Sequence, residues 1–256
     1  MASSLRAAAY LASGGGSTVM ALKEAEANGD LGGIRCRLVI ASTPRAGVIK
    51  KLLDWGFPKR DIVIIPRREF ADDMSFGDAI IDDCRSRGVE VVGQFGWLPY
   101  TPTNVISAYK GRIINQHPGA LDPAHATQEY PHPDFGGPGM HGLATIAAAV
   151  FFSRMTNRRM PLEATSHHAD TKLDGGGIIA RAQMEFDSGE TPVELQKRLL
   201  PLEHRVQIGS MAHYGRFGRF PTWHRQPPLI YDDELLLLAK AKELAKAYVR
   251  ELEAVD

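Results

Sequence analysis

Ala7-Ala8-Ala9-Tyr10-Leu11-Ala12 runs straight into Ser13-Gly14-Gly15-Gly16-Ser17-Thr18, and this junction decides the fold. The first half is short and apolar and reads as a strand. Val19 to Ala27 reads as a helix, with Val19, Met20, Leu22 and Ala25 on its apolar side. Strand, glycine loop and helix make the first unit of an α/β fold. The unit then recurs. Cys36–Ala41 is a second strand, and Ser42-Thr43-Pro44 supplies an N-cap and a proline for a helix over Arg45–Trp55. Ile62–Ile65 is a third strand, followed by a helix over Phe76–Arg87 that stops at Gly88. Val89–Val92 is a fourth strand, Phe95–Pro102 an aromatic and proline-rich loop, Asn104–Tyr109 a short helix and Arg112–Asn115 a fifth strand. Alternation at this length implies a mostly parallel, twisted, Rossmann-like sheet with helices on both faces. In such sheets ligands collect beyond the carboxyl ends of the strands. Three features lie there: the glycine loop, the aromatic loop, and the residues after the fifth strand.

The rest of the chain is less regular. Gly119–Met140 lacks periodicity, and a structureless stretch of that length is often functional. A helix is expected over His141–Phe152. Strands are expected over Leu162–His167 and Ile178–Phe186, separated by Asp170-Thr171-Lys172-Leu173-Asp174-Gly175-Gly176-Gly177. Thr191–Tyr214 reads as helix, with Pro201 expected to kink or divide it. Asp232–Leu252 is a strong helix whose leucines and alanines suit packing on the body of the protein or on a second subunit. The expected organisation is a catalytic domain over residues 1–215 and a C-terminal loop and helix over residues 216–256.

Composition narrows the class. The 256 residues are 44% hydrophobic and 23% charged, with 30 Lys+Arg against 30 Asp+Glu. That balance argues against a nucleic-acid or membrane-surface protein acting through bulk charge. Cys36 and Cys84 are far apart and form no disulfide framework or metal spacing, which points to a reducing compartment. No apolar run reaches the roughly 18 residues of a membrane span. Met1–Ala12 reads as a first strand and not a signal peptide, so a cytoplasmic setting is expected.

Chemistry gathers at Ile113-Ile114-Asn115-Gln116-His117-Pro118. Asn115 and His117 are two apart, so an extended backbone puts both side chains on one face. An amide donor beside a proton-moving imidazole can begin a catalytic site; it can also simply satisfy local backbone. The glycine loop, Gly14, Gly15 and Gly16 with Ser17 and Thr18, can present N–H groups and a helix N-terminus to an anion, or be a tight turn. It lacks the lysine of a P-loop and does not match the dinucleotide fingerprint. Asp174 precedes three glycines that could fold its carboxylate back over the sheet end toward His117, or form an ordinary turn. His167 and His168 are adjacent on a strand and point to opposite faces, so they are poorly placed to share a metal ion. Glu203 lies on the late helix.

Together these residues resemble the folate-dependent formyltransferase family, and its glycinamide ribonucleotide branch in particular. The resemblance runs in order over Leu11 to about Tyr214, through Ser13–Thr18, Tyr109–Pro118, Pro138-Gly139-Met140-His141, His167–Gly176 and Glu203-His204. It implies transfer of a formyl group from 10-formyltetrahydrofolate to a small-molecule amine, phosphorylated or not, by a monomer or homodimer that uses no metal. Asn115 would donate to the formyl oxygen and, with His117, stabilise the oxyanion. His117 would also take part in proton transfer from the amine, and Asp174 would orient it. The glycine loop would hold an acceptor phosphate and Glu203 the acceptor's polar groups. Phe95, Gly96, Trp97 and Leu98, with Asp170 and Leu173, would hold the pterin.

The chain departs from the family pattern in several places. Ser17-Thr18-Val19 replaces Ser-Asn-Leu, and Phe95-Gly96-Trp97-Leu98-Pro99 replaces a Met-Arg-Ile-Leu loop. Gly119 stands where serine is usual, and Leu200 where a polar residue is usual. Residues 119–174 are longer than usual by about 20 residues, in loops of functional length. The acceptor therefore stays open between a phosphoribosylglycinamide and a hydroxyornithine or amino sugar. A formyltetrahydrofolate hydrolase is a further reading.

Overall fold

The computed structural model describes residues 5–187 and 189–254. Met1–Ser4, Ser188 and the last two residues lie outside them, and with them the start of the expected N-terminal stretch and the outer ends of both expected domains. The chain forms two compact units. The first runs to Gln116 and takes in Gln207–Phe220; the second holds His117–Val206 and the chain from Pro221 onward.

The first unit alternates strand and helix: β1 Arg6–Ala12, α1 Ser17–Ala27, β2 Ile34–Ala41, α2 Gly47–Asp54, β3 Ile62–Ile64, α3 Asp73–Ser86, β4 Val91–Gln94, α4 Thr103–Ala108 and β5 Ile113–His117. The last residue of β5 belongs to the second unit. The strands lie in the order β3-β2-β1-β4-β5, every pair parallel. Ala8 through Ala12 are completely buried, which is why β1 is apolar throughout instead of alternating.

Two boundaries differ from expectation for identifiable reasons. Ser42-Thr43-Pro44 does not cap α2. Thr43 Oγ1 accepts from Arg45 N–H in a preceding turn, and the helix begins at Gly47. Val48 N–H, an orphan donor of the first turn, instead donates to Gly14 O at 3.1 Å. The helix start is thus set by the glycine loop. The third helix begins three residues earlier than expected because Asp72 caps it, accepting from Ser75 N–H at 2.7 Å.

The second unit holds α5 Leu143–Thr156, the antiparallel pair β6 Leu162–His168 and β7 Ile178–Met184, and α7 Leu235–Glu253. Helix α6, Pro192–Phe217, contributes residues to both units. It is one helix, and Pro201 does not divide it. Leu195 and Leu199, one turn apart, are completely buried on the apolar stripe that anchors it. Helix α7 packs on α5, burying Leu238, Ala241 and Ala245 at helical spacing and setting Tyr248 edge-on to Phe151. The stretch 119–140 is irregular, with one short 3-10 turn at Pro123–His125, but it is not a surface loop. Leu121, Asp122, Asp134 and Phe135 are all buried. Among the described residues no helix is long and apolar enough to cross a membrane.

Candidate active site

β5 carries Asn115 paired in register with Gln94 of β4, and ends on His117. Asn115 is partly exposed and His117 is 3% exposed. The His117 Nε2 lies 3.1 Å from Phe135 O. A carbonyl only accepts, so Nε2 carries the proton and donates. The other nitrogen, Nδ1, therefore faces Asp174 Oδ1 at 3.8 Å.

Asp174 sits on the turn between β6 and β7 with φ +52°, a conformation uncommon outside glycine. The fold holds this geometry through Gly137 N–H, which donates to Asp174 Oδ2 at 2.9 Å, while Asp174 Oδ1 lies 3.7 Å from His167 Nε2. His167 donates its Nδ1–H to His168 O at 2.9 Å, which leaves Nε2 as the unprotonated nitrogen. A buried carboxylate thus lies between two imidazoles, with both nearest nitrogens beyond hydrogen-bond length.

The electrostatics follow from burial first. Burial pushes His167 down to about 4, and the Asp174 charge only partly opposes it. His167 is therefore neutral at neutral pH. Burial alone would raise Asp174. The imidazoles of His117 and His167, the Gly137 N–H and His132 outweigh it, and the net shift is downward. With His167 neutral, the groups that hold the carboxylate at neutral pH are the Gly137 amide and His117 when it is protonated. The arrangement can accept a proton at His117 Nδ1 and meet the new charge with a counter-ion already in place.

Gly119 follows directly. A Cβ here would lie 2.2 Å from Thr145 Cγ2 and 3.2 Å from His117 Nε2, so the backbone passes too close to α5 for a side chain. Gly119→Ala is expected to cost about 1–3 kcal/mol, the scale of overpacking in a close-packed core. Urea denaturation measures it. Adding Thr145→Ser, which removes the obstructing methyl, should restore most of the loss; a fully stable single variant would show the space is there.

The glycine loop lies in the first unit. Gly16 caps α1 with φ +65°, and a Cβ there would meet Val48 Cγ2 at 2.3 Å. Gly14 and Gly15 are exposed, Ser17 is half-buried and Thr18 is buried, so Ser17 is the accessible hydroxyl. Lys51 of α2, which the sequence reading missed, brings its ammonium to 3.8 Å from a Cβ placed on Gly15. An exposed loop of N–H groups at a helix N-terminus beside a lysine suits an anion.

The aromatic loop is tied to the same place. Ser13 Oγ accepts from Leu98 N–H at 2.9 Å and from the Ser42 hydroxyl at 2.7 Å. Phe95 is a core residue, edge-on to Tyr10 at 5.3 Å, so only its backbone is available to a ligand. Trp97 stacks on Phe76 at 6.3 Å, and its buried Nε1 has no hydrogen-bond partner among the described residues. Leu98 is 65% exposed. Leu98, Pro99 and Tyr100 line a cavity of about 530 Å³ with Ser42, Arg67 and Arg68. In the second unit, Leu173 is half-buried, and Asp170 is exposed and accepts from Thr171 N–H. Glu203 is buried on α6 at 5% exposure. His168 turns away from its neighbour to Thr222 Oγ1 at 2.9 Å.

The formyl transferase family matches residues 6–210. A chloroplastic phosphoribosylglycinamide formyltransferase of Arabidopsis thaliana is 27% identical over 202 residues, which is 78% of this chain and 62% of that protein. The phosphoribosylglycinamide formyltransferase of Bacillus subtilis is 27% identical over 199 residues, covering 77% of this chain and 88% of that one. The fold resembles the crystal structure of glycinamide ribonucleotide transformylase 1 from Symbiobacterium toebii, with a TM-score of 0.69 at 21% identity, over 82% of this chain and 88% of that one.

Proposed function

The chain belongs to the formyl transferase family, and on that premise we propose that it transfers a formyl group from 10-formyltetrahydrofolate to the amine of a phosphoribosylglycinamide-type acceptor, a step of purine biosynthesis. The observation that carries this reading is the buried His117–Asp174 pair at the end of β5, 3.8 Å apart, with Asn115 two residues earlier on the same strand. The names of the curated relatives support the acceptor. We assign catalysis to residues 1–215, in a cytoplasmic monomer or homodimer.

The folate supplies the activated formyl group. The orphaned Trp97 Nε1, the exposed Leu98 and the arginine-lined cavity beside them suit its polar ring and its anionic tail. Gly96 belongs to that loop and Phe95 contributes backbone alone; Asp170 and Leu173 are assigned to the pterin by the family resemblance. Asn115 donates to the formyl oxygen, where negative charge develops as the amine attacks. His117 takes the amine's proton at Nδ1, Asp174 meets the resulting imidazolium, and the proton passes to the folate nitrogen as its bond to the formyl carbon breaks and tetrahydrofolate leaves. No side chain becomes covalently attached and no metal is required. The Gly14–Ser17 loop with Lys51 holds the acceptor phosphate, Thr18 supports the loop from beneath, and Glu203 binds the acceptor's polar groups.

The test is release of folate from 10-formyltetrahydrofolate by purified protein, with and without glycinamide ribonucleotide. Acceptor-dependent turnover is expected. Turnover without an acceptor makes the protein a hydrolase, and turnover only with unphosphorylated amines moves it to a hydroxyornithine or amino-sugar acceptor. No turnover with any amine ends the reading.

A further inference from the structure

Lys242 lies on α7, beyond the part of the chain that the family match covers. Lys242 is half-buried. It turns into the irregular stretch and donates to His132 O at 3.0 Å and Gly136 O at 2.9 Å. Between those carbonyls, and in the same peptide unit as the second, lie the two backbone groups that address the candidate catalytic pair. Phe135 O receives His117 Nε2–H, and Gly137 N–H donates to Asp174.

The other backbone bonds of this turn are accounted for as well. Asp134 Oδ1 accepts from Gly136 N–H, and its Oδ2 accepts from Asp122 N–H. Phe135 N–H donates to Ala120 O, and Gly137 O accepts from Met140 N–H. Nothing in this segment is helix or strand, so its shape rests on these few bonds. Lys242 is the cation among them, and an ammonium donor makes the stronger, charge-assisted kind.

We propose that Lys242 is a positioning residue, and that α7 is a clamp whose ammonium holds the 132–137 turn in the register that orients His117 and Asp174. The clamp rests on the function proposed above for its kinetic consequence, but its structural consequence can be read without turnover. The groups that face the ammonium are Asp134 and His132 from the turn, Asp174 from the β6–β7 connection, and Lys246 on its own helix. Burial brings Lys242 down to about 8, with Asp134 opposing the shift and Lys246 adding to it. Above that pH the neutral amine still carries N–H groups. It no longer strengthens both bonds by charge or balances the two carboxylates. Catalysis that depends on the clamp declines as pH rises through about 8.

The experiment uses the full chain and the variants Lys242→Met, Lys242→Arg and, as a helix control, the exposed Lys240→Met. Lys242→Met is expected to lower kcat by about 10- to 100-fold, the scale of a misplaced catalytic group, with both KM values nearly unchanged. Exchange of the Gly137 amide should quicken by about tenfold as local opening becomes easier. Lys242→Arg should restore most of the protection and of kcat and, staying charged, should lack the decline above pH 8. Lys240→Met should match the parent throughout. Parent-like Gly137 exchange in Lys242→Met overturns the clamp, and so does a change confined to KM. If the parent itself shows no formyl transfer, the function fails while the Gly137 exchange still decides the clamp. If Lys242→Met does not fold, the pH profile of Lys242→Arg decides it: a persisting decline near pH 8 overturns the proposal.

Discussion

Replacing His117 by alanine is expected to lower kcat at least about 100-fold, the usual loss for a group that moves a proton and faces a developing oxyanion. The KM for the folate should change little, because an imidazole that is 3% exposed offers a ligand little binding surface. The ring has a second duty, however. Its Nε2–H satisfies the buried Phe135 carbonyl, and leaving that acceptor bare costs about 1–3 kcal/mol. A thermal melt must accompany the kinetics. His117→Gln, which keeps a donor in reach of Phe135, should recover part of that stability and none of the proton transfer. Near-normal folate release by either folded variant would remove His117 from the mechanism.

Much of the first unit was legible before any coordinates. The order of short apolar runs, glycine stops and helical stripes already implied five parallel strands, with Asn115 and His117 at the end of the fifth. Such periodicities are local, and what was missed is nonlocal. Helix α2 starts at Gly47 because Val48 N–H finds Gly14 O across the unit, and no residue type near Pro44 announces that. Residues 119–140 read as an irregular loop of functional length, with no sign of where it packs. They are buried because carboxylates serve them as backbone partners: Asp122 accepts from Leu229 N–H and Asp134 from two amides. Arg225 adds a bond to Leu121 O and a charge-assisted bond to Glu163. Asp174 drew attention through the glycines beside it. Its approach to His117 is an expectation of the sequence, but the Gly137 amide that donates to it is a backbone group, and His167 beside it reads from sequence only as a poor metal ligand. Phe95 was read by position in a binding loop, although its edge-on contact with Tyr10 makes it core.

Asp174→Asn is the cleaner of the two large-effect substitutions, because asparagine matches the carboxylate in shape and tolerates the left-handed backbone that Asp174 adopts at φ +52°. Its amide oxygen can still accept from Gly137 N–H, so the turn should survive, and what is lost is the charge. A unit pair at about 4 Å is worth about 4 kcal/mol at an effective dielectric near 20. A 100-fold fall in rate needs only about 2.7 kcal/mol. Losing the counter-ion to a protonated His117 is thus enough to lower kcat at least about 100-fold with KM nearly constant. The sign of the stability effect separates this from misfolding. The folded state lowers the pKa of Asp174 below its ordinary value despite burial, so the carboxylate adds stability above about pH 4 and that share is lost as pH falls through the depressed folded value. Urea midpoints of parent and Asp174→Asn should therefore differ at neutral pH and converge in acid, while the rate defect persists wherever both are folded. A folded Asp174→Asn protein with near-normal kcat would show that His117 works without its carboxylate.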